Sequence, residues 1–281
     1  MSYLLNHATE ILSQLQLPTP RLDAEVLLAQ VLQTDRKGLF LSYADIVPKE
    51  QQETFQNLLS RRIKGEPVSY IIGRKEFWSL TFKVNPAVMI PRPETETLIE
   101  ETLKIFSTQS SPSILEIGTG SGAISIALAT ELSQASIIAI DISPEALSAA
   151  EENAFSHGVR SIRFIKGNLF EPLDGENKIF DLIISNPPYI PTDAIPHLPP
   201  GIRNYEPLIA FDGGADGLEV YRKIIREAHN HLKNGGHLLL EVGRGQYPVV
   251  SEIISENKKF SLPEIINDLS GIERVVKTYR I

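Results

Sequence analysis

Asp181-Leu182-Ile183-Ile184-Ser185-Asn186-Pro187-Pro188-Tyr189 decides how the rest of the chain is read. An apolar run rich in isoleucine stops abruptly at Asn-Pro-Pro-Tyr. The run reads as a buried strand of a parallel sheet. Neither proline has an N–H to give to a ladder, so the strand ends there. Asn186 and Tyr189 are therefore expected on a rigid turn at the strand's carboxyl end, where open α/β sheets bind ligands. Such a turn offers an amide side chain, free carbonyls and one aromatic face, with no nucleophile, base or metal ligand. These groups suit a planar –NH2. The Asn186 side-chain oxygen accepts one of its hydrogens, the Pro187 carbonyl accepts the other, and Tyr189 packs on its face. Aligned acceptors stabilise the positive charge that such a nitrogen gains as it attacks an electrophile. The alternative is a proline-rich strand exit that only turns the chain.

Outward from this stretch, strand and helix alternate from Ile114 onward, which indicates a parallel α/β sheet. Ile114–Ile117 reads as a strand, followed by Gly118-Thr119-Gly120-Ser121-Gly122 and a helix to about Leu132. The glycines allow a tight turn and close backbone approach to a ligand. Their spacing is G-x-G-x-G, not the G-x-G-x-x-G of dinucleotide sites. The next strand, Ser136–Ile140, ends in Asp141, placed to accept from both hydroxyls of a ribose. Ser143-Pro144 supplies the cap of the following helix, which leaves Asp141 for a ligand. After the strand Ile162–Ile165 come Asn168, able to bond an adenine amino group, and Leu169 or Phe170, able to cover the ring; the alternative is a plain loop with one buried Phe. Ile190–Asp216 is a long proline-rich loop, expected to frame the substrate pocket. A helix over about Leu218–Leu232 ends at Asn234-Gly235-Gly236. The strand His237–Val242 is apolar except for Glu241, to which the sequence assigns no chemistry. Gln246–Ile254 reads as helix, and Arg274–Tyr279 closes the sheet.

The first third differs. Residues 1 to about 66 read as helices, with Thr19 as N-cap and Pro20 at the first helical position. A second start falls at Pro48. Arg61, Arg62 and Lys64 lie at the end of that helix, where cations complement its dipole without needing a ligand. Two readings of this bundle stay open, a domain that packs on the next one or a docking surface for a protein partner. Glu76–Val84 alternates as a strand, Asn85-Pro86 turns it, and Ala87–Ile90 returns, a hairpin linking the domains. Arg92 reads either as an anion contact or as a surface charge.

The chain has 281 residues, enough for two domains, and a formal net charge of −8. That charge argues against a large nucleic-acid footprint, which needs a basic stripe. With no cysteine, disulfides, a thiol nucleophile and a cysteine-based metal site are excluded. The six histidines form no ligand cluster, so no metal is expected. No apolar run is long enough to span a membrane, and Met1–Glu10 lacks the features of a signal peptide. A cytoplasmic protein is the natural reading.

Glu116–Gly122 (EIGTGSG), Asp141 and Asn186–Tyr189 (NPPY), set in this alternation, resemble a class I S-adenosylmethionine-dependent methyltransferase. Arg21–Leu32, Gly65–Gly73 (GEPVSYIIG), Glu76–Val84, Ile90–Glu96 (IPRPETE), Tyr205–Gly217 and Glu241–Gln246 (EVGRGQ) narrow the resemblance. They are similar to the bacterial peptide-chain release factor glutamine methyltransferases over nearly the whole chain. The resemblance implies a doubly wound, mostly parallel seven-stranded α/β sheet over 93–281, a linking hairpin over 73–92 and a substrate-docking helical bundle over 1–72. It implies S-adenosylmethionine held by Gly118, Thr119, Gly120, Ser121, Gly122 and Asp141, with Asn168 and Leu169 at its adenine and Asn186 beside it. It implies as substrate the glutamine of the Gly-Gly-Gln loop of class 1 release factors. Asn186 and the Pro187 carbonyl would orient that amide, with Pro188 and Tyr189 lining its slot. A monomer with no stable nucleic-acid partner is expected. The chain departs from the family in having Asn168-Leu169 where Asp-Trp is common, and Tyr247 where Gly often follows the glutamine. The rival reading is methylation of an exocyclic amino group of adenine or guanine, flipped out or single-stranded.

Overall fold

A computed structural model describes residues 1–175 and 178–281 of the chain. They form two compact units, Met1–Arg74 with Pro199–Tyr205, and Lys75–Leu198 with Glu206–Ile281.

The smaller unit is helical, with helices at Ser2–Gln14, Pro20–Val31, Arg36–Leu41, Lys49–Ile63, Val68–Ile72 and Pro200–Arg203. Their apolar faces bury Leu5, Leu12, Leu27, Leu28, Phe55 and Leu59 together. Thr19 stands at the N-cap as expected but does not cap: its hydroxyl donates to Asp23 Oδ1 at 2.8 Å. Asp23 Oδ2 in turn accepts from Arg62 Nε at 2.7 Å, and Arg61 pairs with Glu66. Two of the three cations at the end of Lys49–Ile63, Arg61 and Arg62, are thus paired within the bundle.

The larger unit is built on a seven-stranded sheet. Among the described residues the strands, in order, are β1 (Arg74–Phe77), β2 (Leu80–Lys83), β3 (Ser113–Ile117), β4 (Ser136–Asp141), β5 (Ile162–Lys166), β6 (Phe180–Ser185), β7 (Leu232–Glu241), β8 (Glu264–Asn267) and β9 (Glu273–Tyr279). The sheet order is β5-β4-β3-β6-β7-β9-β8. Strands β3 to β7 pair in parallel, and β9 runs antiparallel between β7 and β8. Side chains alternate between two cores. Leu115, Ile138, Ile183 and Leu238 face one, with the helices Glu219–His231 and Tyr247–Glu256. Ile114, Ile137, Leu182 and Leu239 face the other, with Glu96–Ile105 and Ala123–Glu131. A sheet covered on both faces needs apolar residues at both parities, which is why the middles of β4 and β6 read as continuous apolar runs rich in isoleucine.

Three local expectations change. The hairpin is not Glu76–Val84 against Ala87–Ile90. It is β1 against β2, turning at Trp78-Ser79, both with positive φ (51° and 58°). That is the backbone a two-residue hairpin turn requires. The single strand read from the alternation is therefore two strands and their turn. The hairpin does not merely link: Phe77 and Phe82 sit in the sheet's core, and Lys83 N donates to Asn153 Oδ1 at 2.8 Å. Asn234-Gly235-Gly236 does not end a helix but lies inside β7, where the register with β6 shifts between Phe180 and Leu182. Finally, β9 does not close the sheet. The edge strand is β8, whose short Glu-Ile-Ile-Asn pattern gave no signal.

Candidate functional site

The sheet order reverses at β3, which has β4 on one side and β6 on the other. Ligands bind in the crevice at such a point, beyond the strands' carboxyl ends. Register sets what lines it. Ile117 is level with Ile140 and with Ser185, so Gly118, Asp141 and Asn186 leave three adjacent strands at one height. Ser185 is level with Leu240, so Glu241 stands beside Asn186 on β7. Ser185 Oγ donates to the Ile117 carbonyl at 2.7 Å, tying the two exits together.

Above these ends lies a cavity of about 260 Å³. Gly118, Thr119, Gly120, Ser121, Asp141, Asn168, Leu169, Asn186, Pro187 and Pro188 all line it. Gly118 and Gly120 have positive φ (76° and 55°), and a Cβ on either would meet no atom within 4 Å, so both backbones present open space to a ligand. Gly122 does not line the cavity. A Cβ there would stand 3.1 Å from the Ala150 Cβ, so this glycine serves helix packing. Asp141 is less free than its sequence position implies. Its Oδ2 accepts from Gly120 N at 2.8 Å and its Oδ1 from Ser143 N at 2.9 Å. Burial nonetheless raises its pKa above the ordinary value. Each carboxylate oxygen keeps a second lone pair for a hydroxyl. Ser143 caps its helix as expected, accepting from Ala146 N. The Asn168 amide donates to Glu171 Oε1 at 3.0 Å, which leaves its oxygen for an amino group.

Beneath the glycine turn, Glu116 is 1% exposed. Its Oε2 accepts from the Thr119 hydroxyl at 2.7 Å and from the Ser125 hydroxyl. Burial pushes its carboxyl up to about 7. It braces the turn from within.

The Asn186 turn is assembled from distant segments. Asn186 Nδ2 pairs with Thr95 Oγ1 at 3.2 Å, 91 residues away. Tyr189 does not reach the large cavity. It lines a smaller one of about 40 Å³ with Met89, Arg92, Asn186, Phe211 and Glu241. Burial pushes its phenol up to about 12, so it stays neutral. The Tyr189 carbonyl accepts from Gln246 Nε2 at 2.9 Å, while Gln246 Oε1 accepts from Gly243 N at 3.0 Å. The long loop folds as short helical turns at Thr192–His197, Pro200–Arg203 and Leu208–Ala210. Its Pro207, Ile209, Ala210 and Asp212 line the large cavity. Arg92 is taken up by an ion pair with Glu206 at 2.5 Å, and Glu206 also accepts from Ile90 N at 3.0 Å. Its anion reading is thereby replaced by a strut beside the pocket. Thr95, Glu206, Gln246 and Glu241 lie in stretches that carry the resemblance, but nothing in the sequence gave any of them a role at this site.

Residues 3–73 match a family described as a PrmC N-terminal domain, and residues 109–277 match a methyltransferase domain family. The release factor glutamine methyltransferase of Geobacter sulfurreducens is 42% identical over 256 residues, covering 91% of this chain and 88% of its own. That of Fusobacterium nucleatum is 38% identical over 274 residues, covering 97% and 77%. This chain belongs to the release factor glutamine methyltransferase family. A methyltransferase structure from Pyrococcus furiosus, 20% identical, overlaps 80% of this chain and 98% of its own with a TM-score of 0.52, a likeness of fold. The methyl donor of the family is S-adenosylmethionine, and the residues present fit it. The open glycine backbones at Gly118 and Gly120, the Asp141 carboxylate and the Asn168-Leu169 wall all lie on one cavity. No described helix is long and apolar enough to cross a membrane. Among the described residues, no group of three or more histidines and carboxylates is placed to hold a metal ion.

Proposed function

We propose that this protein methylates the side-chain amide nitrogen of the glutamine in the Gly-Gly-Gln loop of class 1 peptide-chain release factors. The methyl group comes from S-adenosylmethionine. The observation that carries this reading is the Asn186-Pro187-Pro188 turn. It offers hydrogen-bond acceptors to the same cavity that the Gly118–Ser121 turn and Asp141 enter. Gly118, Thr119, Gly120 and Ser121 hold the donor by their backbone, Asp141 takes its ribose, and Asn168 and Leu169 flank its adenine. When bound, the donor supplies a methyl carbon made electrophilic by its sulfonium.

The chain's own part is positioning and electrostatics. Asn186 Oδ1 and the Pro187 carbonyl each accept one hydrogen of the glutamine –NH2. That fixes the nitrogen's plane and aims its lone pair. An amide nitrogen is a poor nucleophile, and alignment at contact distance, ~3–3.5 Å, supplies much of what it lacks. As the N–C bond forms and the methyl's bond to sulfur breaks, which would leave the donor as a neutral thioether, the nitrogen gains positive charge beside two fixed dipoles, and its surplus proton leaves to water. Pro188 lines the slot, and Tyr189 stands beside Asn186 in the smaller cavity. The helical bundle of residues 1–72 docks the release factor, the 93–281 region carries the chemistry, and the protein acts in the cytoplasm as a monomer that needs no nucleic acid.

The test uses purified protein, methyl-labelled S-adenosylmethionine and two release factors, one carrying its loop glutamine and one with that residue changed to alanine. Label on the first and not the second is expected. Label on neither, with label on ribosomal or genomic nucleic acid, overturns the substrate and transfers the function to an exocyclic amino group.

A further inference from the structure

Glu241 lies at the end of β7 and is 2% exposed. Its backbone is held at two points. It pairs with Val275 of β9, and its carbonyl accepts from the Tyr221 hydroxyl at 2.8 Å. Its side chain lines the small cavity with Asn186 and Tyr189. The Thr95 hydroxyl and the Asn186 side chain face its carboxyl. Its Oε2 is nonetheless buried without a hydrogen-bond partner among the described residues. A buried, unpaired carboxylate oxygen is costly and calls for an explanation.

The explanation lies in what Asn186 must do. An asparagine amide turned over presents –NH2 where it presented oxygen, with almost no change of shape. The proposed transfer requires oxygen toward the substrate nitrogen. Thr95 cannot enforce this, because a hydroxyl both donates and accepts and satisfies either orientation. An ionised carboxylate only accepts. We propose that Glu241 is the positioning residue that sets the flip of the Asn186 amide, holding Nδ2 inward so that Oδ1 faces the substrate. This inference rests on the functional reading above.

The groups that face Glu241 fit this task. Arg274 favours its charged form, while Glu94 opposes it. Tyr189 and Tyr221, both neutral, complete the surround, and Arg92 lines the same cavity. Burial is the largest influence and pushes the carboxyl up to about 7, so the acceptor-only form that holds Nδ2 is the one that prevails above that pH. The unsatisfied Oε2 is thus available to tighten on Nδ2 when substrate draws Oδ1 outward.

The experiment compares the wild type with Glu241→Gln, whose oxygen can still accept from Nδ2, and Glu241→Met, which keeps volume and accepts nothing. Glu241→Leu serves if Met does not fold. Steady-state methylation of the release factor, calorimetric titration of S-adenosylmethionine and thermal melts are measured for each. The apolar variant is expected to lose roughly 10–100-fold in kcat, the scale of a misplaced positioning group, with KM and donor affinity within about three-fold. Glu241→Gln should recover at least half of that loss on a logarithmic scale. Wild-type kcat in the apolar variant overturns the proposal. So does Glu241→Gln as impaired as Glu241→Met, which would make the residue a proton acceptor. So does a parallel fall in donor affinity and melting temperature, which would make it merely structural. A readout independent of turnover is the side-chain amide resonance pair of Asn186, assigned by its disappearance in Asn186→Asp. The pair should shift and lose protection from exchange in the apolar variant and keep both in Glu241→Gln. Identical resonances in all three overturn the proposal. Should the wild type label no release factor, the functional reading fails, and these resonances still decide whether Glu241 sets the amide.

Discussion

Glu116 and Glu241 are two buried carboxylates near the ends of strands in one sheet, both pushed by burial up to about 7. They differ in their partners. Glu116 accepts from two hydroxyls, Thr119 three residues on and Ser125 nine residues on. Glu241 faces Thr95 and Asn186 from a distant part of the chain and keeps one oxygen without a hydrogen bond. The first is a local brace that completes the glycine turn. The second is an incomplete site, which fits a group whose remaining hydrogen bond is made by the Asn186 amide during the reaction. A pKa shift by itself does not separate the two, since both carry the same one. Hydrogen-bond satisfaction does.

The contrast is testable, and the largest effect is expected where Glu241 points. Asn186→Ala removes the amide whose orientation is at stake. It should cost roughly 10²–10³ in turnover, the scale of losing one preorganised polar group in an active site. Near-wild-type turnover in a labelled-methyl assay would remove the turn from the chemistry. Next come the carboxylates themselves. Glu116→Met leaves two buried hydroxyls without an acceptor and should destabilise by about 2–6 kcal/mol, at 1–3 kcal/mol for each orphaned group. Glu241→Met removes a buried charge that was already short of partners and should be neutral or stabilising. Denaturant melts that rank the two the other way would break the comparison.

Asp141→Ala tests the glycine side of the cavity. Hydrogen bonds from a charged group are worth about 1.5–3 kcal/mol, so the loss should weaken S-adenosylmethionine binding roughly 10–100-fold by calorimetry. An unchanged affinity would take the ribose away from Asp141. The most gradual effect is one of pH. Both glutamates ionise near the ordinary 4.5 when unfolded and near 7 when folded. Between these values the folded state holds more protons. Stability from these groups is therefore full below about pH 4.5 and falls as pH rises through 7. The slope is at most about 1.4 kcal/mol per pH unit for each group. Melts from pH 5 to 8 should show it, and Glu241→Gln should flatten it by one group's share.

What the chain announces by itself is whatever depends on neighbours in sequence. Isoleucine runs cut off by Gly118, Asp141 and Pro187 place three strand ends, because alternation and proline chemistry act within a few residues. With the resemblance, they carry the sheet, the donor and the reacting turn. Trp78-Ser79 escaped because neither residue advertises a left-handed backbone, so a hairpin turn passed for strand. The edge strand β8 escaped because four residues give too short a pattern. Tertiary structure alone decided the rest. Gly122 shares a motif with Gly118 and Gly120, but only packing shows that it faces Ala150 and not the cavity. Asp141 looked free until its carboxylate was seen bonded to Gly120 and Ser143. Thr95, Asn186 and Glu241 meet only because parallel register brings β6 and β7 level and a helix start lies beside them. Hydrogen bonds between remote segments leave no periodicity in a sequence, so the partners of Asn186 emerge only once the sheet is folded.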